Sequence, residues 1–324
     1  MIKDVSIEIT QKCMNHCIHC SSCSSKECDV ELPFETILNV IKGLNRLNTE
    51  RICLSGGEPF LHPEIIRIIE QSTSLGIIVD VYSCGIIGEN GKIKALPYNL
   101  LRTAKNAGLR TIIFNVPSPR EDIYDLVTET KGHFPLLCES IKNTTECGIK
   151  AEIHYVPLKQ NIESALSIID FAEQMKVQQV NFLKLVPHGR AHENAEKITL
   201  DSSRLTNLCN EINQLKKTGK SLRLGLPLSL NDNSDPCHAV KEKIYIKFDG
   251  SVFGCEAFKY IKLTNKEGTY VLPDNIYNKG IEEIYYNSSY LKLSRKFVEK
   301  YAECQIGCEN CPVQKYIKEK EELK

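Results

Sequence analysis

Near the start of the chain, the stretch EITQKCMNHCIHCSSC packs Cys13, Cys17, Cys20 and Cys23 into eleven residues. Thiols at this density hold metal ions or iron–sulfur clusters. A structural zinc site takes four ligands, usually as two separated C-x2–4-C pairs. Here all four cysteines are crowded together and no matched pair follows nearby. Electron-carrier runs of this kind end in a fourth Cys followed by Pro, which is absent. A third reading, beside zinc and an electron carrier, uses Cys13-x3-Cys17-x2-Cys20, directly after a strand. Three thiolates would hold three irons of a [4Fe–4S] cluster and leave the fourth iron open to a substrate or cofactor. Cys23 and Cys28 are then surplus.

A second set lies at the other end. Cys237 and Cys255 bracket CHAVKEKIYIKFDGSVFGC, and Cys304, Cys308 and Cys311 sit in CQIGCENCP. Paired thiols from a hairpin and a distant knuckle suit zinc or an iron–sulfur cluster. The chain has 15 cysteines in 324 residues. A disulfide scaffold of that density is normally small and secreted, so a reducing compartment fits better. Cys53, Cys138, Cys147 and Cys209 fall in apolar or helical patterns and read as small packing residues. Lys plus Arg equals Asp plus Glu, which argues against a broad nucleic-acid surface. No apolar run approaches the roughly 18 residues a membrane span needs. The start, MIKDVSIEIT, lacks the apolar segment of a signal peptide. A cytoplasmic protein with neither membrane nor nucleic-acid partner is expected.

The elements that must position these thiols follow from periodicity. Strand-like runs cover 5–10, 51–55, 77–83, 111–116, 151–156 and 180–186, each a nearly continuous apolar stretch. Such runs suit parallel strands buried on both faces. Amphipathic segments alternate with them, several ending at glycine, as in SLG, NAG and ECG. Six strand–helix repeats predict parallel βαβ units with right-handed crossovers. Periodicity does not choose between an open barrel and a doubly wound sheet. After about residue 225 the texture turns loop-rich, with a hairpin expected at Asp249-Gly250 and a helix near 280–300. Two domains are expected, 1–224 and 225–324.

With these residues in hand, CMNHCIHC resembles the signature of the radical S-adenosylmethionine (SAM) superfamily, C-x3-C-x-Φ-C. His19 stands at the Φ position, where an aromatic residue is usual. LSGGEP (54–59) resembles the family's GGEP segment, which lines the SAM amino and carboxylate groups. Gly56 and Gly57 permit close backbone approach, Glu58 offers a negative group to an ammonium, and Pro59 completes the motif. YSCG (82–85) stands where the family often has Thr-Asn-Gly, so Ser83 falls in the cofactor pocket and Cys84, replacing the usual Asn, puts another thiol near it as a candidate catalytic residue. Asn115 falls where a serine often contacts SAM. Arg190, in VPHGRA, is placed to meet a carboxylate or phosphate-like oxygen, with His188 as a substrate or acid–base group. The resemblance covers the first two-thirds of the chain. It implies an α/β fold: a partial (β/α)6 barrel with a small C-terminal cysteine-rich α+β extension.

The same resemblance implies the chemistry. Cys13, Cys17 and Cys20 hold a [4Fe–4S] cluster whose open iron binds SAM. Reductive cleavage gives a 5′-deoxyadenosyl radical that abstracts a substrate hydrogen. The C-terminal cysteines resemble a twitch or SPASM-type extension with an auxiliary [4Fe–4S] cluster on Cys237, Cys255, Cys308 and Cys311, and Cys304 spare or alternate. Five cysteines fall short of a full two-cluster SPASM set. The relatives imply an oxidoreductase or maturase acting on a peptide or protein side chain, supplied with electrons by a flavodoxin or ferredoxin. Small-molecule oxidation or rearrangement, including cofactor or antibiotic synthesis, is the alternative, with nucleotide or RNA modification a third substrate class. A non-catalytic iron–sulfur carrier is a further one, and it would have no use for GGEP. The peptide reading is weakened by the lack of room for a leader-binding domain before Cys13.

Overall fold

The computed structural model describes residues 2–89, 91–228, 237–302 and 311–322. The six expected strands form as β1 (Asp4–Thr10), β2 (Arg51–Gly56), β3 (Ile78–Ser83), then β6 (Thr111–Asn115), β7 (Lys150–Tyr155) and β8 (Gln179–Phe182). Between β3 and β6 a small antiparallel hairpin intervenes, β4 (Ile86–Glu89) and β5 (Lys92–Ala95). The six strands pair in parallel in the order β1-β2-β3-β6-β7-β8. Helices α1 (Phe34–Arg46), α2 (Ile65–Ser74), α3 (Tyr98–Asn106), α4 (Glu121–Thr128), α5 (Phe134–Glu146) and α6 (Ser167–Gln174) make the crossovers. This is a partial (β/α)6 barrel.

Alternation along β1 explains the layering. Val5, Ile7 and Ile9 join the apolar core with Ile37, Ile41 and Leu44 of α1. Their neighbours Ser6, Glu8 and Thr10 are polar yet buried. The opposite face of the sheet is thus lined by polar groups that must find partners. Near the N-terminal ends of the strands, Asp80 is paired by Arg51 (3.5 Å) and Arg110, and Arg51 also holds Asp4 at 2.6 Å.

β8 stops at Phe182 instead of running to residue 186. The residues paired with Phe182 are Tyr155, the last of β7, and Leu224, the last of β9 (Leu222–Leu224); one further bond, Leu183 N to the Tyr155 carbonyl, follows, and both neighbouring strands end there. Two short helices, α7 (Arg190–Glu193) and α8 (Ala195–Ile198), and then α9 (Ser202–Lys216) lead into β9, a seventh parallel strand.

The C-terminal extension begins with β10 (Lys243–Ile246) and β11 (Val252–Phe253), a hairpin whose turn uses Gly250 at φ +84°. β10 pairs in parallel with the free edge of β1, Asp4 opposite Lys243 and Ile7 opposite Ile246. The sheet therefore grows to nine strands and continues across residue 225. Three helices follow: α10 (Ile281–Asn287), α11 (Ser289–Ala302) and α12 (Pro312–Glu322). No helix among the described residues is long and apolar enough to cross a membrane.

Candidate functional site

The four N-terminal cysteines lie on the loop that leaves the C-terminal end of β1, the end of a parallel sheet where α/β proteins build their sites. A loop of this kind needs anchors, and it has them on every side. Asn15 is buried, its amide donating to Tyr124 Oη (3.2 Å) and its oxygen paired with His133 Nδ1 (2.8 Å). His16 and Ile18 donate backbone N–H groups to the carbonyls of Thr128 and Val127 at the end of α4. Ile18 packs its side chain against Val127, Leu158, Ala191 and Ile198.

The HGR turn closes over the loop. Arg190 Nε donates to the Cys17 carbonyl (2.9 Å), Nη2 to the Ser24 carbonyl (2.7 Å), and its backbone N–H to the Cys20 carbonyl (3.0 Å). His188 Nδ1 lies 2.8 Å from the Ser21 carbonyl, and Asn194 donates to the Ile18 carbonyl. Gly189 sits at φ +60°, and a Cβ there would fall 2.8 Å from Cys23 Sγ and 2.9 Å from the Cys20 carbonyl. Arg190 is thus a buried clip, with Nε, Nη2 and its backbone N–H all bonded to the loop. Arg190→Ala is expected to lower the stability of the metal-free chain by about 3 kcal/mol, since two buried carbonyls lose a charged donor. Arg190→Lys is expected to recover little of it, because one ammonium does not reproduce the planar fork. Thermal or urea unfolding measures both.

GGEP docks from the other side. Gly57 N donates to the Thr10 carbonyl and Glu58 N to the Lys12 carbonyl, each at 2.7 Å. Added Cβ atoms at Gly56 and Gly57 would lie 2.1 Å from Thr10 O and 2.0 Å from Lys12 O. The close approach these glycines permit is to the cysteine loop's own backbone. Glu58 is completely buried and accepts from Phe60 N (3.1 Å), Ser83 Oγ (2.8 Å) and Cys84 N (2.7 Å). Burial pushes its carboxyl above the ordinary range while these hydrogen bonds pull it back. GGEP and YSCG are in this way one unit, and Pro59 starts the single 3-10 turn that closes it.

Cys13 and Cys84 are buried, while Cys17 and Cys20 are half-buried. Burial holds the Cys17 thiol well above its usual range, and the charges of Cys13 and Cys20 push the same way. Burial also raises Cys20, against the opposing charge of Arg190. These couplings mean that the three thiols are neighbours, as ligands of one metal group must be. Among the described residues no three such groups already surround a common point as a finished metal site. His19 stands between them in sequence. Burial drops its ring to about 4, so it is neutral at pH 7, and Asn115 is its hydrogen-bonding neighbour. His19 Nδ1 is nonetheless buried with no partner. Three soft thiol donors and an orphaned ring nitrogen beside them fit an iron–sulfur cluster with a polar cofactor. Cys23, at φ +51°, lies against Gly189, and Cys28 Sγ contacts the Cys23 carbonyl.

In the C-terminal extension, Cys237, Cys255 and Cys311 are drawn together. The charges of Cys237 and Cys311 both raise Cys255, after burial as the first cause, and burial lifts Cys311 to about 11. Cys304 and Cys308 lie outside the described residues. Lys259 links the two cysteine regions. Its ammonium is 3.4 Å from Glu8, 3.2 Å from Ser21 Oγ, 3.3 Å from Ser22 Oγ and 3.0 Å from Tyr245 Oη. Asn15, Tyr124, Asn194 and this Lys259–Glu8 pair escaped the sequence reading. Only the isolated basic residue in an apolar context, EAFKY, hinted at the last of them.

Residues 7–172 match the family model described as Radical SAM superfamily. The chain is similar to AdoMet-dependent heme synthase of Methanosarcina barkeri, 22% identical over 66% of this chain and 59% of that protein. It is similar to PqqA peptide cyclase of Methylorubrum extorquens, 24% identical over 61% of this chain and 50% of that protein. It therefore spans little more than half the length of these curated relatives. Its fold matches SuiB of Streptococcus suis bound to the precursor peptide SuiA, with a TM-score of 0.74 at 15% identity, over 97% of this chain and 70% of that one.

Proposed function

The chain belongs to the radical SAM superfamily, and from that premise we propose that Cys13, Cys17 and Cys20 ligate a [4Fe–4S] cluster used to abstract hydrogen from a peptide or protein side chain. Membership implies the cluster and S-adenosylmethionine; the ligand set, the substrate and the outcome are our reading. The observation that carries it is the clamped loop, which presents three neighbouring thiols and the unpartnered His19 nitrogen at the C-terminal rim of the sheet. When bound, the cluster and SAM supply a one-electron cleavage that yields a 5′-deoxyadenosyl radical.

This chain's residues bind, orient and exclude water. Arg190, Gly57 and Asn15 fix the loop, so that the thiols meet the metal with little left to reorganise. His19, neutral and aromatic, offers a flat face and a free nitrogen to the adenine side, with Asn115 steadying it. Ser83 and Glu58 hold the next turn against the loop. Residues 225–324 are read as a separate auxiliary region. There Cys237, Cys255 and Cys311, with Cys308 and with Cys304 in reserve, would hold a second cluster of the one-cluster twitch type. A small acidic electron carrier such as a flavodoxin or ferredoxin would reduce the protein.

The peptide reading is supported by the peptide-acting names among the similar proteins, and a small-molecule substrate by the heme synthase. Anaerobic reconstitution followed by dithionite and SAM tests the core. Methionine and 5′-deoxyadenosine are expected, with about eight irons per chain if both clusters form. Intact clusters without SAM cleavage would leave only an electron carrier. About four irons with bound zinc would make the C-terminal site a zinc knuckle. A deuterated peptide substrate should pass deuterium to 5′-deoxyadenosine; transfer from small molecules alone would favour the second reading.

A further inference from the structure

We propose that Cys84 is a positioning residue that donates its thiol hydrogen to the Cys13 sulfur and so raises the reduction potential of the cluster. The inference rests on the cluster reading above and extends it to a residue outside the ligand set.

Cys84 is held in place from several sides. Its backbone N–H is fixed by Glu58 Oε2 at 2.7 Å. The next residue, Gly85, turns the chain at φ +74° with its N–H on Ser83 Oγ (2.8 Å), and Phe114, Leu137 and Ser140 press against that turn. The thiol is buried among three partners. It donates to the Ile86 carbonyl at 3.6 Å, accepts from Cys13 Sγ at 3.9 Å while that thiol keeps its own hydrogen, and has the Glu58 carboxyl as a further hydrogen-bonding neighbour. An ordinary thiol keeps its hydrogen at neutral pH. Iron binding takes the hydrogen of Cys13 and leaves a thiolate that can only accept, so the direction of the Cys13–Cys84 contact reverses and the Cys84 hydrogen turns to that sulfur.

The contact is too intimate for Cys84 to serve another corner of the cluster. Each cubane iron carries three sulfides and one outer ligand, so a thiol touching the Cys13 sulfur is that ligand's neighbour. Hydrogen bonds to the sulfurs are among the levers by which a protein sets cluster potential. A donor draws electron density from the thiolate and favours the reduced, more negative cluster. The bond lies in a water-excluded place, where it is electrostatically strong.

The test is an anaerobic redox titration of the reconstituted full-length chain. It follows the electron paramagnetic resonance signal that SAM addition perturbs, which separates this cluster from any second one. Cys84→Ala is expected to keep the wild-type iron content but to show a midpoint shifted negative. The expected size is a fewfold to tenfold lower ratio of reduced to oxidised cluster at fixed potential, tenfold being about 59 mV for one electron. Cys84→Val, which fills the space without a donor, carries the same expectation. Cys84→Ser retains a donor and should shift less. Midpoints of the alanine and valine variants equal to wild type overturn the proposal and leave the site reading intact. Loss of the SAM-sensitive cluster in both variants also overturns it, by making Cys84 a ligand. A wild-type chain that assembles no SAM-sensitive cluster overturns the site reading and this proposal with it.

Discussion

Cys17→Ala is expected to abolish 5′-deoxyadenosine formation, down to the no-protein background, and to remove the iron of one cluster. The same variant is expected to fold. Cys17 contributes to the loop through its backbone carbonyl, which accepts from Arg190, and an alanine keeps that carbonyl. What it loses is the central thiol, the one whose ionisation is opposed by burial and by both flanking cysteines. Three thiolates crowded in this way are tolerable only around positive metal, so metal binding and thiol ionisation occur together. Removing the middle donor leaves two ligands on a cluster that needs three, and Cys84, the thiol in contact with the set, meets Cys13 and not Cys17. Cys23→Ala is the matched control. Cys23 lies against Gly189 on the far side of the turn, and wild-type iron content and SAM cleavage are expected. Iron and sulfide analysis beside product detection decides the pair. A Cys17→Ala protein that still cleaves SAM would refute the ligand assignment.

The strands of the barrel were legible because each is a short apolar run separated by an amphipathic segment that ends at glycine. Local spacing also marked Cys13, Cys17, Cys20 and GGEP. What spacing could not carry was the scaffold around them. Arg190 meets the Cys17 carbonyl across 173 positions and His133 meets Asn15 across 118. Contacts of that separation leave no periodic trace in a single sequence. The pairing of β10 with β1 escaped for a related reason: an edge strand takes whichever free edge the fold presents, and a run as short as KIYI does not name its partner. Arg190 and Glu58 were read as groups for a ligand. Their hydrogen bonds to backbone and hydroxyl groups of the cysteine loop and of YSCG were not legible, because the sequence could not place those groups beside them.

Gly57→Ala is expected to be nearly as damaging as loss of a ligand, through the backbone. The added carbon would stand 2.0 Å from the Lys12 carbonyl oxygen, 2.5 Å from its carbon and 2.8 Å from the Gln11 oxygen. All three are main-chain atoms, so no rotamer change can relieve the overlap. Either the loop or the end of β2 must retreat, and the two 2.7 Å hydrogen bonds from Gly57 and Glu58 to that loop stretch or break. Overpacking together with two weakened buried bonds amounts to about 3 kcal/mol or more. Cys13 follows Lys12 directly, so its thiol leaves its place beside Cys84 with the rest. A lower melting temperature, iron content reduced to that of the C-terminal site and no SAM cleavage are expected together. Gly76→Ala separates this steric effect from simple backbone strain. Gly76 sits at φ +79° with nothing within 4 Å of an added carbon. That variant bears only the left-handed penalty of about 1–2 kcal/mol and should keep its iron. If Gly57→Ala matched Gly76→Ala in both melting temperature and iron content, the docking of GGEP on the cysteine loop would not be what builds the site.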